Sequence, residues 1–243
     1  MPSQSGKIMN NSWYIHSIYL VLGILALSPL AASAEMQINN SIIVFKSDDA
    51  VRRDITVTNN GDTPLYLKVT PYVIDNPGTT TEQRKKIVDP RESGLLVSPH
   101  KLVVPPGRKK RIRFVNLHPK REQEAVFRVT MEPVAGELTA KGSGIKVMVG
   151  YEVLVLAEPD NPHSELVAQR LGNRLVIANE GNTNALLFRG KQCPSDHPQQ
   201  NECASLQDKR LYPGNRWEIA LPGSGPVEFH VANSQGNSLK TFP

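Results

Sequence analysis

Cys193 and Cys203 are the chain's two cysteines, and the nine residues between them include Pro194, Asp196 and Pro198. Two chemistries fit that spacing. A disulfide would close a short loop in an oxidising compartment. A metal would recruit His197 as a third ligand, with no fourth in evidence. The six histidines are scattered, with no H-E-x-x-H pair, and the chain has no phosphate-binding loop. His118, His163 and His230 therefore read as surface or structural residues. Gly142-Ser143-Gly144 lacks the G-x-S-x-G spacing of a nucleophile elbow, and Asp48-Asp49 and Asp89 form no obvious carboxylate pair. The densest charge is Arg108-Lys109-Lys110-Arg111 followed by Arg113. Without interleaved aromatic residues to stack on bases, it reads as a solvated turn and strand edge, not a nucleic-acid site. No catalytic set emerges, and no metal or cofactor is implied.

The composition agrees with that restraint. The chain has 243 residues, 28 Lys+Arg against 23 Asp+Glu, 21% charged and 6% aromatic residues. These are ordinary globular values that exclude a disordered or fibrous chain, and a net charge of +5 is too small to mark a nucleic-acid binder. Order along the chain is more informative. Lys7 supplies a modest positive region, Ile18 to Leu27 an apolar core, and Ala32-Ser33-Ala34 an A-x-A cleavage site. An apolar core of about ten residues falls short of the roughly 20 needed to span a bilayer. Residues 1–34 are thus expected to be a signal cut after Ala34, with no stable membrane insertion and a mature protein outside the cytoplasm.

After Glu35 nearly every segment is short, β-branched and alternating, as in Ile42-Ile43-Val44-Phe45, Asp54-Ile55-Thr56-Val57-Thr58 and Ile112-Arg113-Phe114-Val115. Such runs predict an all-β sandwich or barrel with helices short or absent. The chain also echoes itself. Ile55-Thr56-Val57-Thr58-Asn59-Asn60-Gly61-Asp62-Thr63 resembles Leu175-Val176-Ile177-Ala178-Asn179-Glu180-Gly181-Asn182-Thr183. Val104-Pro105-Pro106-Gly107 likewise resembles Leu211-Tyr212-Pro213-Gly214. Two echoes in the same order predict two related sandwiches. Glu158-Pro159-Asp160-Asn161-Pro162 ends the longest apolar strand and makes a linker, so the expected domains are 35–157 and 163–243, joined by 158–162.

With these residues in place, the chain resembles the periplasmic chaperones of bacterial pilus assembly, the PapD-like proteins, and looks like their alternate branch serving class 5 fimbriae. The resemblance rests on a series in order: the export signal, Met36–Phe45, Val57-Thr58-Asn59-Asn60-Gly61, Pro105-Pro106-Gly107 before Arg111-Ile112-Arg113-Phe114, Val126-Phe127-Arg128-Val129, and Ile145–Leu156 ending in Glu158-Pro159. It implies two immunoglobulin-like β-sandwich domains in an angled, boomerang-like arrangement. It also implies pilus or fimbrial subunits and an outer-membrane usher as partners, periplasmic localisation, and no enzymatic activity.

Such chaperones lend a strand to a subunit that lacks one. Ile145, Val147, Val149 and Tyr151 alternate along one face of an extended segment led by Gly142-Ser143-Gly144. Backbone hydrogen bonds would supply sequence-tolerant affinity while the apolar side chains fill successive pockets. Ile145, Val147 and Val149 are the leading donor residues. The resemblance further implies a basic pair that holds the subunit's terminal carboxylate, a group that guanidinium can clamp bidentately. The main branch carries an Arg at about Ile42 and a Lys near Tyr151 or Glu152, and this sequence has neither. Arg113 and Arg128 are the candidates in their place, with Lys146 and Arg111 behind them. The alternate branch also carries a cysteine pair where Cys193 and Cys203 stand, which favours the structural bond. The rival reading is an exported β-sandwich adhesin or ligand-binding module. It predicts an aromatic-rich face, whereas the only tryptophans are Trp13 and Trp217.

Overall fold

The computed structural model describes residues 35–48, 50–134, 148–193 and 203–243. Strands β1 (Met36–Ile38), β3 (Arg52–Asn59), β8 (Lys109–Asn116) and β6 (Leu95–Ser98) form one sheet, in the order β1-β3-β8-β6. A second sheet runs β2 (Ile42–Phe45), β10 (Tyr151–Ala157), β9 (Ala125–Pro133), β4 (Leu65–Asp75), β5 (Gln83–Lys86), with β7 (Lys101–Val104) also on β4. The period-2 pattern turns Ile55 and Val57 of β3 and Ile112 and Phe114 of β8 inward, toward Phe127, Val129 and Met131 of β9 and Val153 and Val155 of β10. Those residues make the first core. Among the described residues one short helix, α1 (Pro90–Ser93), precedes β6.

The second sandwich repeats the plan. Strands β11 (Leu166–Leu171), β12 (Arg174–Asn179) and β16 (Arg216–Ala220) face a sheet ordered β14 (Ala204–Leu206), β13 (Ala185–Gln192), β17 (Val227–Asn233), β18 (Gly236–Phe242), with β15 (Lys209–Leu211) on β13. Its core gathers Leu175, Ile177, Leu187, Leu211 and Phe229. Trp217 stacks edge-on against Phe229, with ring centroids 5.8 Å apart, so it packs on this core. The chain is nearly all-β, as the alternation predicts, and no helix among the described residues is long and apolar enough to cross a membrane.

The two sequence echoes are bonded to one another, once in each sandwich. Asn59 Nδ2 donates to Thr63 O (2.7 Å) and Val104 O (2.9 Å), and its Oδ1 accepts from Gly61 N–H (3.0 Å). Asn179 Nδ2 donates to Thr183 O (2.8 Å) and Leu211 O (3.0 Å), and its Oδ1 accepts from Gly181 N–H (3.1 Å). The backbones match too, Gly107 N–H donating to Asn59 O and Gly214 N–H to Asn179 O. Each Asn is buried and ties a strand end to a Pro-Gly turn. Gly181 is required in the second copy, since a Cβ there would lie 2.3 Å from His163 O.

The predicted disulfide between Cys193 and Cys203 is present. It takes both thiols, which leaves none for the metal alternative with His197. Cys193 follows β13 and Cys203 precedes β14, beside the pair Gln192↔Ala204.

Candidate functional site

Strand pairing carries one row of side chains across five strands: Ile42 on β2, Leu154 on β10, Arg128 on β9, Tyr72 on β4 and Lys86 on β5. Alternation puts Glu152 and Leu156 on the same face of β10, and Val126 and Thr130 with Arg128 on β9. This is the face of the sheet turned away from the first core. Lower down it meets the second sandwich, where Ile74, Val126 and Leu156 are buried against Tyr212. The face is therefore apolar at one end and charged at the other.

At the charged end, Arg128 Nη1 donates to Glu152 Oε1 at 2.9 Å. Arg84, on β5, reaches the same carboxylate with both arms: Nη1 to Oε2 at 2.5 Å and Nη2 to Oε1 at 3.3 Å. Arg128 Nε is buried and has no hydrogen-bond partner among the described residues. Burial raises the Tyr212 hydroxyl pKa above its usual value, against the lowering pull of Arg210 and Arg128.

The other candidate cations lie elsewhere. Arg113 and Arg111 project from the solvent face of β8, in the opposite sheet. There Arg113 clamps Asp54 through Nε (2.9 Å) and Nη2 (3.1 Å), with Arg111 Nη1 at 3.8 Å. That fork holds Asp54 below its ordinary carboxylate range. The structure thus does not bring Arg113 and Arg128 together. Lys146, Ile145 and Val147 lie outside the described residues. Val149, two residues before β10, is 53% exposed, and Met148 is 41% exposed. Tyr151, by contrast, packs against the first core, and its hydroxyl donates to Met36 O at 3.0 Å.

The edges of β10 differ along its length. Strand β9 pairs with all of Tyr151–Ala157, but β2 pairs only with Leu154–Ala157, in parallel. Among the described residues, Tyr151, Glu152 and Val153 have a strand on one side only. An edge that pairs with no strand among the described residues suits the addition of a further one. Sequence reasoning assigned Glu152 no pairing, and it missed Arg84 altogether. The Glu152–Arg128 contact depends on the β9–β10 register, and Gln83–Lys86 is exposed throughout and so shows no period.

The family model described as "Pili and flagellar-assembly chaperone, PapD N-terminal domain" matches residues 35–163. A CFA/I fimbrial protein of Escherichia coli is 25% identical over 234 residues, covering 91% of this chain and 94% of that protein. Among solved structures, the class 5 fimbriae chaperone CfaA superposes with a TM-score of 0.64 at 23% identity, over 86% of this chain and 99% of its own. The SafB chaperone of Salmonella enterica, solved in complex with SafA pilin, gives 0.61 at 13% identity, over 87% and 97%. These likenesses establish the fold of two immunoglobulin-like sandwiches.

Proposed function

Since the chain belongs to the family of pili and flagellar-assembly chaperones, we propose that it captures fimbrial subunits in the periplasm by lending them the strand that leads into β10, and passes them to an outer-membrane usher. The family is one of chaperones, not of enzymes, and the mechanism needs no cofactor. In this reading residues 1–34 are the signal removed after Ala34, 35–157 the donor domain, 158–162 the linker and 163–243 the second domain. The observation that carries it is the half-finished β10. Its C-terminal half is enclosed by β9 and β2, while its N-terminal end has one open edge and is led by exposed Met148 and Val149.

An extended subunit edge adding to that open side gains main-chain hydrogen bonds whatever its sequence, and Ile145, Val147 and Val149 would enter its pockets in turn. Tyr151 then acts as the strand's root, held in the first core. Arg128, on the neighbouring strand, is the anchor for the subunit's terminal carboxylate. Arg113 and Arg111, engaged with Asp54 on the opposite sheet, are spare surface charge in this scheme.

Val149→Asp places a charge at a half-exposed position, so it should abolish recovery of a periplasmic complex with a co-expressed fimbrial subunit while Tm stays within about 2 °C. Arg128→Ala should reduce recovery at similar Tm. Full recovery of the complex with both variants would remove strand donation and the Arg128 anchor from consideration. Unfolding of the Val149 variant would make that residue core.

A further inference from the structure

Resting on the reading of Arg128 as the carboxylate anchor, we propose that Arg84 and Arg128 together form a two-guanidinium seat, which Glu152 fills in the free chain and yields to the subunit's terminal carboxylate. The seat draws on three strands: β5 supplies Arg84, β9 supplies Arg128 and β10 supplies the resident carboxylate. Glu152 accepts from both arms of Arg84 and from one nitrogen of Arg128, the fork geometry by which arginine recognises any carboxylate. In the free chain the protein's own side chain therefore occupies the position of a ligand group.

Three features make this a site of exchange. The side chains of Arg84, Glu152 and Arg128 are 45%, 29% and 25% exposed, so water and an incoming carboxylate reach all three. Two cations face one anion, so the filled seat still attracts negative charge. Arg128 is also unsaturated, with its buried Nε lacking an acceptor among the described residues. The comparable cluster on the opposite sheet lacks that last feature. There Asp54 takes Nε and Nη2 of Arg113 together, which leaves the fork complete.

Glu152 stands at the second position of β10, directly beyond the segment offered as donor strand. A subunit strand laid parallel to that segment brings its C-terminal end toward the seat. Rotation of the Glu152 side chain into solvent then frees both guanidinium groups. One carboxylate replaces another, and the charge held between the two guanidinium groups is unchanged. Glu152 thus competes for the seat, and it acts on capture as a positioning residue.

The experiment is competition between differently tagged chaperones for one co-expressed fimbrial subunit, made with its native C-terminus and again with two added glycines that shift the carboxylate out of register. Glu152→Gln keeps the shape of the resident group but removes its charge. It should win native subunit from the wild type by roughly tenfold, the worth of one charge-assisted hydrogen bond, and lose that advantage with the extended subunit. Glu152→Asp, which shortens the resident side chain, should shift partition the same way and serves if the Gln variant melts early. Arg84→Gln should lose native subunit by about tenfold, and lose it again in the Glu152→Gln background, where the resident charge is gone. If Arg84→Gln has no effect in that background, or if neither Glu152 variant outcompetes the wild type, the three residues are a structural ion pair and the seat is refuted. Failure of the wild type to capture any subunit would instead overturn the function proposed above.

Discussion

Asn59 and Asn179 show how much of this fold hangs on single polar side chains. Each is buried, each donates to two backbone carbonyls, and each accepts from the glycine N–H two residues on. A side-chain amide suits this place because it offers two donors and an acceptor in one plane. Replacing either by Ala leaves two buried carbonyls and an amide to find water or go unpaired. The expected cost is about 2–3 kcal/mol for each variant, read as a lower urea midpoint at unchanged m-value. Asp keeps the acceptor, loses both donors and sets a charge against carbonyl oxygens. Asn59→Asp and Asn179→Asp should therefore destabilise at least as much as Ala. Wild-type stability in the Asp variants would show that the donors contribute nothing.

At the level of elements, the strands and their repetition were legible in the sequence, because a sandwich strand must alternate and a strand-to-turn junction must carry Asn and Gly. The paired echoes of Asn59 with Val104–Gly107, and of Asn179 with Leu211–Gly214, were legible for the same reason: in each copy the first pattern hydrogen-bonds the second. The charged seat was not legible. Phe127-Arg128-Val129 and Ile112-Arg113-Phe114 are the same local pattern, an arginine between two core residues, and nothing within three residues tells which sheet each joins. That depends on pairings such as Leu154↔Arg128 and Asp54↔Arg113. Register across strands far apart in sequence is a property of the folded sheet.

The disulfide belongs to this scale too. It clasps the open end of the β13–β14 pair, one residue beyond Gln192↔Ala204. Closing a loop of about ten residues limits the unfolded chain by about 2–3 kcal/mol at 25 °C. Cys193→Ser with Cys203→Ser should lower stability by up to that amount, and dithiothreitol should lower the wild type equally while leaving the double variant unmoved. A reductant effect on the double variant would mean that the thiols are not its target.

The largest scale turns on the joint between the sandwiches, where the apolar contact of Ile74, Val126 and Leu156 with Tyr212 is flanked by buried polar groups. Glu124 at the approach to β9 is buried, and its Oε2 accepts from Thr183 Oγ1 (2.8 Å), Asn184 Nδ2 (2.6 Å) and Asn184 N–H (3.3 Å) of the second sandwich. Arg210 donates in turn to Asn184 Oδ1. Glu124 N–H donates to Asn182 O, and Asn215 Nδ2 donates to Pro77 O at 3.1 Å. Burial raises the Glu124 carboxyl above its ordinary value of 4.5, against the lowering pull of the Asn184 and Thr183 hydrogen bonds and of Arg210. Its Oε1 is buried with no partner among the described residues.

Between pH 4.5 and the raised folded value, the folded protein holds a proton that the unfolded chain has released. This group's stabilisation is therefore complete below pH 4.5 and is lost as pH rises through the folded value. Glu124→Gln keeps an oxygen for the three donors, removes the buried charge and does not titrate. At low pH the wild type should be the more stable by about 1 kcal/mol, because the new amide N–H groups lack an acceptor. As pH rises through the folded value the difference should move steadily toward the Gln variant, since every other titrating group is common to both proteins and cancels. Denaturant melts of the two proteins from pH 4 to pH 8 measure that difference directly. A gap that does not change with pH would mean that Glu124 ionises in the joint without penalty.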